Sequence, residues 1–356
     1  MRVLGLSLYG PLAASTRYRL QQYVPGLRGY GIELDVHGLL DDHYLKRRFA
    51  GERLPIGSMV ASGCSRLRQL LRQRDYDGAV VYCELFPFLP GRIEQALLRL
   101  PYIYDFDDAF YLKYGSGGRR LVPGLATKFD RLVAAATRVT AGSRVLADYA
   151  SHLNTATSLL PTVVDTDRYQ RREVARADGF TVGWIGSPST APYLEALSRP
   201  LAALGREGRV RLVVIGGKAP TIAGVEIIEL PWSEETEVDL INGFDVGVMP
   251  LPDSDWSRGK CAFKLIQYMA CGVPVIASPV GANRDVVTPE CGVLADDDTG
   301  WLEAFRSLRD APQLRTRLGD HGRARVVAEY SLAGNLPGFA AALAALSPGK
   351  AGQALM

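Results

Sequence analysis

Twice along the chain, short apolar runs bounded by turn residues alternate with longer stretches of helical spacing, and a polar, arginine-rich stretch separates the two series. This alternation is the pattern of parallel βα units, in which a strand buried on both faces is apolar throughout and its crossover helix is apolar on one side. The pattern predicts strands over 3–8, 32–36, 78–82, 102–106, 139–141 and 158–160, and then over 180–186, 211–217, 225–230, 244–250 and 273–278. The intervening DTDRYQRREVARAD, residues 165–178, has too little apolar content for a core element and reads as an interdomain linker. After Gly292 the chain reads as helical over 301–309, 312–330 and 332–346, ending in the frayed SPGKAGQALM. The expected fold class is therefore α/β, with two Rossmann-like doubly wound domains facing across a cleft. The boundaries expected are 1–165 for the first domain, 166–178 for the linker, 179–330 for the second, and 331–356 for a terminal helix and tail returning to the first domain.

At 356 residues the chain exceeds the usual size of one hydrophobic core, which agrees with two domains. A net charge of +3 is too small for nucleic acid binding by bulk electrostatics. Charge is concentrated locally: from 43 to 74 the basic residues Lys46, Arg47, Arg48, Arg53, Arg66, Arg68, Arg72 and Arg74 are opposed by Glu52 alone. That block could rest on anionic lipid, or be a solvated helix face with Leu67, Leu70 and Leu71 turned to a core. The five cysteines, Cys64, Cys83, Cys261, Cys271 and Cys291, are dispersed and form no CxxC pair, so neither a disulfide framework nor a zinc site is indicated. A reducing cytosol fits that usage. The opening MRVLGLSLYGPL breaks at Gly10 and Pro11 as a buried strand would, and no 18-residue apolar run occurs, so the expected membrane association is peripheral, on the inner face.

The richest segment runs from 258 to 287, RGKCAFKLIQYMACGVPVIASPVGANRDVV. A helix from about 260 to 271 would place Lys260, Lys264 and Gln267 on one face and Phe263, Ile266 and Ala270 on another. Two lysines at i, i+4 repel by about 0.2–0.5 kcal/mol, and the helix dipole disfavours cations in the first turn. An anionic ligand would remove both penalties. Gly281 permits close backbone approach, and a helix starting near Asn283 would offer N–H groups to a diphosphate at the carboxyl end of the sheet. The loop GSPSTAPY, 186–193, supplies Gly186, Ser187, Ser189 and Thr190 beside another helix start, where the hydroxyls could hold phosphate oxygens or simply cap the helix. In the first domain the matching loop carries Arg17 and Arg19, candidates for an anionic group on donor or acceptor. Tyr104-Asp-Phe-Asp-Asp-Ala109 crowds three carboxylates at a strand end. There Asp105 and Asp107 could hold a divalent cation, one carboxylate such as Asp107 could orient an acceptor hydroxyl, or Asp107 or Asp108 could cap a helix.

The stretch YMACGVPVIASPVGANRDVV, with the upstream FDVGVMPL and the late AEYSL, resembles the C-terminal donor domain of GT-B fold glycosyltransferases of family 4. FDDA and PTVVDTDRY are similar to segments of bacterial members that build surface polysaccharides. The resemblance implies a retaining glycosyltransferase that needs no metal or other cofactor. Its partners would be a nucleotide diphosphate sugar bound by the C-terminal domain and a glycan or lipid-linked glycan acceptor bound by the N-terminal one. On that reading Gly186, Ser187, Ser189, Thr190, Lys260, Lys264, Gln267, Gly281 and Asn283 bind the donor. Arg17, Arg19 and Asp108 bind the acceptor, while Lys264 stabilises the departing diphosphate and Asp107 places the acceptor. The family's Glu-x7-Glu pair is absent: the corresponding positions hold Gly259 and Gln267. Three other readings compete. They are an epimerase of the same architecture, disfavoured because His37, His43, His152 and His321 lie outside the strongest loops; a metal-dependent transferase built on Asp105 and Asp107; and an inactive partner in polysaccharide assembly.

Overall fold

The computed structural model describes residues 1–49, 51–52, 56–115, 122–174 and 178–347. The chain divides into two compact units: unit 1 comprises Met1–Val163 and the residues from Asn335 onward, and unit 2 is Val164–Gly334.

Unit 1 is built on β1 (Arg2–Tyr9), β2 (Glu33–Leu40), β3 (Gly78–Tyr82), β4 (Tyr102–Phe106), β5 (Arg138–Ala141) and β6 (Thr157–Leu159). They form one parallel sheet in the order β2-β1-β3-β4-β5-β6. Parallel neighbours require crossovers, and helices such as Ile56–Leu71, Lys128–Ala135 and Arg144–Ser151 provide them. The central strands β3 and β4 are buried along their whole length.

Unit 2 repeats the plan with β7 (Phe180–Ile185), β8 (Val210–Ile215), β9 (Val225–Leu230), β10 (Val246–Met249), β11 (Val275–Ala277) and β12 (Gly292–Leu294). The order is β12-β11-β10-β7-β8-β9, again parallel. Every residue of β7 is buried. Its Val182 and Trp184 join Leu212 and Val214 of the neighbouring β8, together with Leu194, Leu201, Trp301 and Phe305, in the core. Chain connectivity reverses between β7 and β10, so the crevice beyond their carboxyl ends is the place where such sheets bind ligands.

Two details depart from the sequence expectation. The twelfth strand was not foreseen: Gly292–Leu294 is a three-residue edge strand whose outer residues leave the core, too short for a periodic signal. The segment read as a linker over 166–178 is instead tied to unit 2, with 175–177 lying outside the described residues. Tyr169 is fully buried, Arg168 pairs with Glu237 at 2.8 Å, and Asn242 Nδ2 donates to the Gln170 carbonyl at 3.0 Å. The segment's polar side chains thus divide between hydrogen bonds to unit 2, at Arg168 and Tyr169, and exposure, at Asp167 and over 170–173. The expected return of the chain is seen in the helix Leu332–Ala344, which belongs to unit 1 from Asn335, where the Phe339 ring lies 4.8 Å from that of Tyr23. The terminal residues 348–356 lie outside the described residues.

Candidate functional site

At the carboxyl end of β7 the chain turns at Gly186, whose N–H donates to the Ile215 carbonyl at 3.0 Å. A Cβ here would lie 2.4 Å from the Trp184 ring and 2.9 Å from Lys264 Cε, so the absence of a side chain is what lets Lys264 lie against this turn. The Ser187 carbonyl accepts from the Thr190 and Ala191 N–H groups at 2.9 and 3.2 Å, and from the Thr190 hydroxyl at 3.1 Å. Ser187 and Ser189 place their hydroxyl oxygens 2.8 Å apart at the protein surface. The Thr190 hydroxyl is thus engaged inside the turn, whereas the two serines are displayed together.

The helix expected over 260–271 begins later, at Phe263, and runs to Ala270. Ala262 adopts a left-handed backbone with φ 54°, which a helix cannot continue through. Lys260 therefore precedes the helix, with its ammonium 5.7 Å from the Trp256 ring centroid, and the expected i, i+4 lysine pair does not exist on one helical face. Lys264 is in the first turn, its Nζ 5.5 Å from the Trp184 ring centroid at the β7 edge. Over an aromatic face a cation is held by the ring quadrupole, and here the ring comes from the strand that ends at Gly186. Gln267 is 4% exposed, and its Nε2 donates to the Tyr169 hydroxyl at 2.9 Å.

After β11, Gly281 takes φ 52° and passes so close to Arg258 that a Cβ would meet its carbonyl oxygen at 2.3 Å. The left-handed backbone and this contact together require glycine. The helix that follows is only Asn283–Val286. Its early N–H groups are already engaged: Asn283, Arg284 and Asp285 donate to Val280, Gly281 and Ala282 carbonyls at 3.2, 3.1 and 3.1 Å. The Asn283 side chain is buried and donates to the Ser278 carbonyl at 2.9 Å. The expectation that Asn283 opens a row of N–H groups for a diphosphate is thus corrected; this asparagine braces the loop.

In unit 1 the carboxylates at the end of β4 and just beyond it separate into different environments. Asp105 is buried and paired with Arg19, whose Nε donates at 2.9 Å, and it also accepts from the Thr140 hydroxyl at 2.5 Å. Arg19 is 1% exposed and donates further to the Leu160 carbonyl. Its placement on an acceptor is corrected: the guanidinium is consumed in the core, where it offsets a buried carboxylate. The same pairing removes Asp105 from an Asp105–Asp107 metal site, and among the described residues no cluster of His, Cys, Asp and Glu could hold a metal. Arg17 is largely buried and donates to the Pro11 and Leu12 carbonyls at 2.9 and 3.1 Å, shaping the loop after β1. Asp107 and Asp108 remain partly exposed. The Tyr82 hydroxyl, at the end of β3, donates to Asp107 Oδ1. Burial and then the neighbouring Asp108 carboxylate raise the Asp107 carboxyl to about 6, against the opposing pull of Arg19 and the Tyr82 hydrogen bond. A carboxyl tuned there can accept and release a proton near neutral pH.

Several residues of these edges escaped the sequence reading. Glu84, fully buried, accepts from Lys113, from Tyr114 and from Lys128 Nζ at 2.6 Å, and Lys128 also pairs with Glu94 at 2.8 Å. Tyr82 was read only as a strand residue, although a tyrosine at the last position of a central parallel strand is placed to reach the edge. Glu237 and Trp232 in unit 2 carried no motif, and Tyr169 entered only as the last residue of PTVVDTDRY and within the stretch read as a linker.

Residues 180–310 match the family model described as glycosyl transferases group 1, and they fall wholly within unit 2, which therefore contains a domain of that group. A 68-residue stretch is 40% identical to the GDP-mannose-dependent monoacylated alpha-(1-6)-phosphatidylinositol monomannoside mannosyltransferase of Corynebacterium glutamicum. That match spans only 18% of this chain and 18% of the relative. Among solved structures, sucrose-phosphate synthase from Thermosynechococcus elongatus superposes with a TM-score of 0.69 at 16% identity, covering 96% of this chain and 98% of that one. The Anabaena protein HepE, in complex with UDP and glucose, gives 0.68 at 14% identity over 97% and 99% of the two chains. WaaG, a glycosyltransferase involved in lipopolysaccharide biosynthesis, gives 0.65 at 15% identity over 96% and 98%. The fold is that of the GT-B glycosyltransferases, with two Rossmann-like α/β units.

Proposed function

We propose that this protein is a retaining, metal-independent glycosyltransferase that moves a sugar from a nucleotide diphosphate donor to a hydroxyl of a glycan or lipid-linked glycan, in bacterial surface polysaccharide synthesis. The observation that carries the reading is the seating of Lys264 against Gly186, at the switch point of the unit that matches the glycosyl transferases group 1 model. A cation beside the β7 turn is suited to the charge that develops on a departing diphosphate. Ser187, Ser189 and the Gly281 loop surround the same edge of the sheet, and Lys260 precedes the helix that carries Lys264.

In the reaction the bond from the sugar's anomeric carbon to the phosphate oxygen breaks and a bond to the acceptor oxygen forms. The acceptor's proton passes to the leaving phosphate oxygen, on the same face of the sugar. Asp107 orients the acceptor by accepting a hydrogen bond from a hydroxyl next to the attacking one, with Asp108 beside it. Sugar conjugates of UDP are the first donors to test, since HepE is described with UDP and glucose, and GDP conjugates follow from the Corynebacterium relative.

The acceptor side is read as peripheral on an anionic cytoplasmic membrane. No helix among the described residues is long and apolar enough to cross a membrane. The helix Ile56–Leu71 buries Leu70 but leaves Val60, Leu67 and Leu71 exposed at 61, 43 and 81%, beside exposed Arg68 and Arg72. An apolar stripe flanked by arginines suits an interface with anionic headgroups. Arg66 does not join it: this side chain is buried, donates to the Ser7 and His37 carbonyls at 2.6 and 2.9 Å, and is pushed down to about 10 by burial. Arg53 lies outside the described residues.

The test is isothermal titration with UDP, GDP and their sugar conjugates, with magnesium and with a chelator. Binding of one nucleotide that survives chelation and is lost in Lys264→Ala supports the reading. Binding that needs the metal favours a metal-dependent transferase, and no binding of any nucleotide favours an inactive partner in assembly.

A further inference from the structure

Glu237 opens the helix Glu237–Asn242 and is 1% exposed, yet three side chains converge on it. Its Oε1 accepts from the Tyr169 hydroxyl at 2.7 Å and from Arg168 Nη2 at 2.8 Å, and its Oε2 accepts the Trp232 indole N–H at 2.8 Å. Tyr169 is itself fully buried, and its hydroxyl oxygen accepts from Gln267 Nε2 at 2.9 Å.

Counting protons fixes the direction of this chain. A carboxylate has none to give, and a tyrosine has one, which at 2.7 Å goes to Glu237. Whatever stands at 267 must therefore donate to Tyr169. The amide meets that demand only by turning Nε2 toward the tyrosine, which sends Oε1 the other way, where it accepts no hydrogen bond from the described residues. Trp232, anchored by the same carboxylate, follows the carboxyl end of β9, and its Cβ lies 3.1 Å from where a side chain at Gly216 would begin, beside the Gly186 turn.

We propose that Glu237 and Tyr169 are positioning residues that lock Gln267 so that it presents a carbonyl, a hydrogen-bond acceptor, to a hydroxyl of the bound nucleotide such as those of its ribose. The inference rests on unit 2 binding the donor. It also explains why an amide occupies position 267. A glutamate there would leave two carboxylates, 267 and 237, competing for the single tyrosine proton, and the hydrogen bond would be replaced by repulsion.

The experiment compares the full-length wild type with Tyr169→Phe and Gln267→Glu. Titration with UDP and GDP is combined with steady-state turnover of the sugar conjugate, at about pH 5.5 to 8, a range that spans the recovery of a raised carboxyl. The charged groups around the pair are Arg168 on Glu237, Arg323 on the Tyr169 carbonyl at 2.7 Å, and Lys264 one turn earlier on the helix; the wild-type profile over the same range accounts for them. Tyr169→Phe is expected to raise the nucleotide Kd and the donor KM about five- to tenfold with kcat within about twofold, as loss of one hydrogen bond would. Gln267→Glu is expected to weaken binding at the alkaline end and to regain it as the pH falls and the new carboxyl gains a proton to donate. A wild type that binds neither nucleotide overturns the donor reading and this inference with it. A wild type that binds, with Tyr169→Phe binding equally well, overturns the inference alone. Should Tyr169→Phe fail to fold, Gln267→Glu decides: tighter, pH-independent binding overturns the proposal, and weaker binding that recovers in acid supports it.

Discussion

In unit 1 the charged side chains around the strand ends are locked to one another: Arg19 to Asp105 near the end of β4, and Lys128 to Glu84, just past β3, and to Glu94. In unit 2 the corresponding positions after β7 and β11 hold Gly186, Ser187, Ser278 and Gly281, and the nearby cation Lys264 lies over an indole. The same six-stranded parallel sheet thus supports two edges of opposite character. A charge buried in a mutual pair is committed to the fold, whereas small residues and a ring-stacked cation leave room for a ligand to approach. Asp107 of unit 1 sits beside Asp108 and accepts from the Tyr82 hydroxyl, and its carboxyl is raised to about 6.

If this contrast holds, breaking a unit 1 pair should damage stability most. Arg19→Met leaves Asp105 buried without its partner and is expected to cost about 3–5 kcal/mol, read as a lowered denaturation midpoint. A loss below about 1 kcal/mol would mean that the pair is not structural. Next in size, Lys264→Ala should lower turnover at saturating donor by about a hundredfold while leaving the denaturation midpoint nearly unchanged. Unchanged turnover would remove Lys264 from the site.

Acid should then separate Asp107 from the paired carboxylates. With its carboxyl at about 6, turnover per bound acceptor is expected to fall about tenfold for each pH unit below that value, because the protonated form cannot accept the acceptor's hydrogen bond. The sign for stability is the reverse. A folded-state value above the ordinary 3.8 means that ionised Asp107 disfavours the fold, so its penalty disappears as pH falls from above about 6 to below about 4. Tyr82→Phe removes a hydrogen bond that favours the ionised form and should move the acidic limb upward; a limb that stays in place would dissociate Tyr82 from Asp107. The smallest effect concerns the outer surface of unit 1. Arg68→Gln and Arg72→Gln should each weaken binding to vesicles containing anionic lipid by about 1 kcal/mol, measured by cosedimentation, with no change on neutral vesicles.

Much of the fold was legible because burial on both faces writes itself as apolar runs. The segments 78–82 and 102–106 coincide with β3 and β4, and 225–230 coincides with β9, although that is a half-exposed edge strand. The order of strands within each sheet was not legible, since pairing depends on contacts distant in sequence. At the site, Gly186 and Lys264 were singled out separately and the fold brings them together. Arg19 was misread because an arginine in a first helix reads the same whether it meets solvent or a carboxylate that lies 86 residues away. Lys260 was placed on a helix because nothing about Ala262 signals a left-handed backbone. That Glu237 ties Arg168 and Tyr169 to Gln267 was not legible, the members of this network being scattered from Arg168 to Gln267.

The return of the chain to unit 1 at Asn335 has a consequence for biogenesis. As the polypeptide leaves the ribosome, all of unit 2 emerges before the part of the helix from Asn335 that completes unit 1, so the second unit can close while the first still waits with Tyr23 and Gly26 without their partners Phe339 and Leu336. Gly26 is where that late helix docks: a methyl group there would meet Leu336 at 2.5 Å. A stop codon after Gly334 would therefore injure the part of the protein made first and spare the part made last.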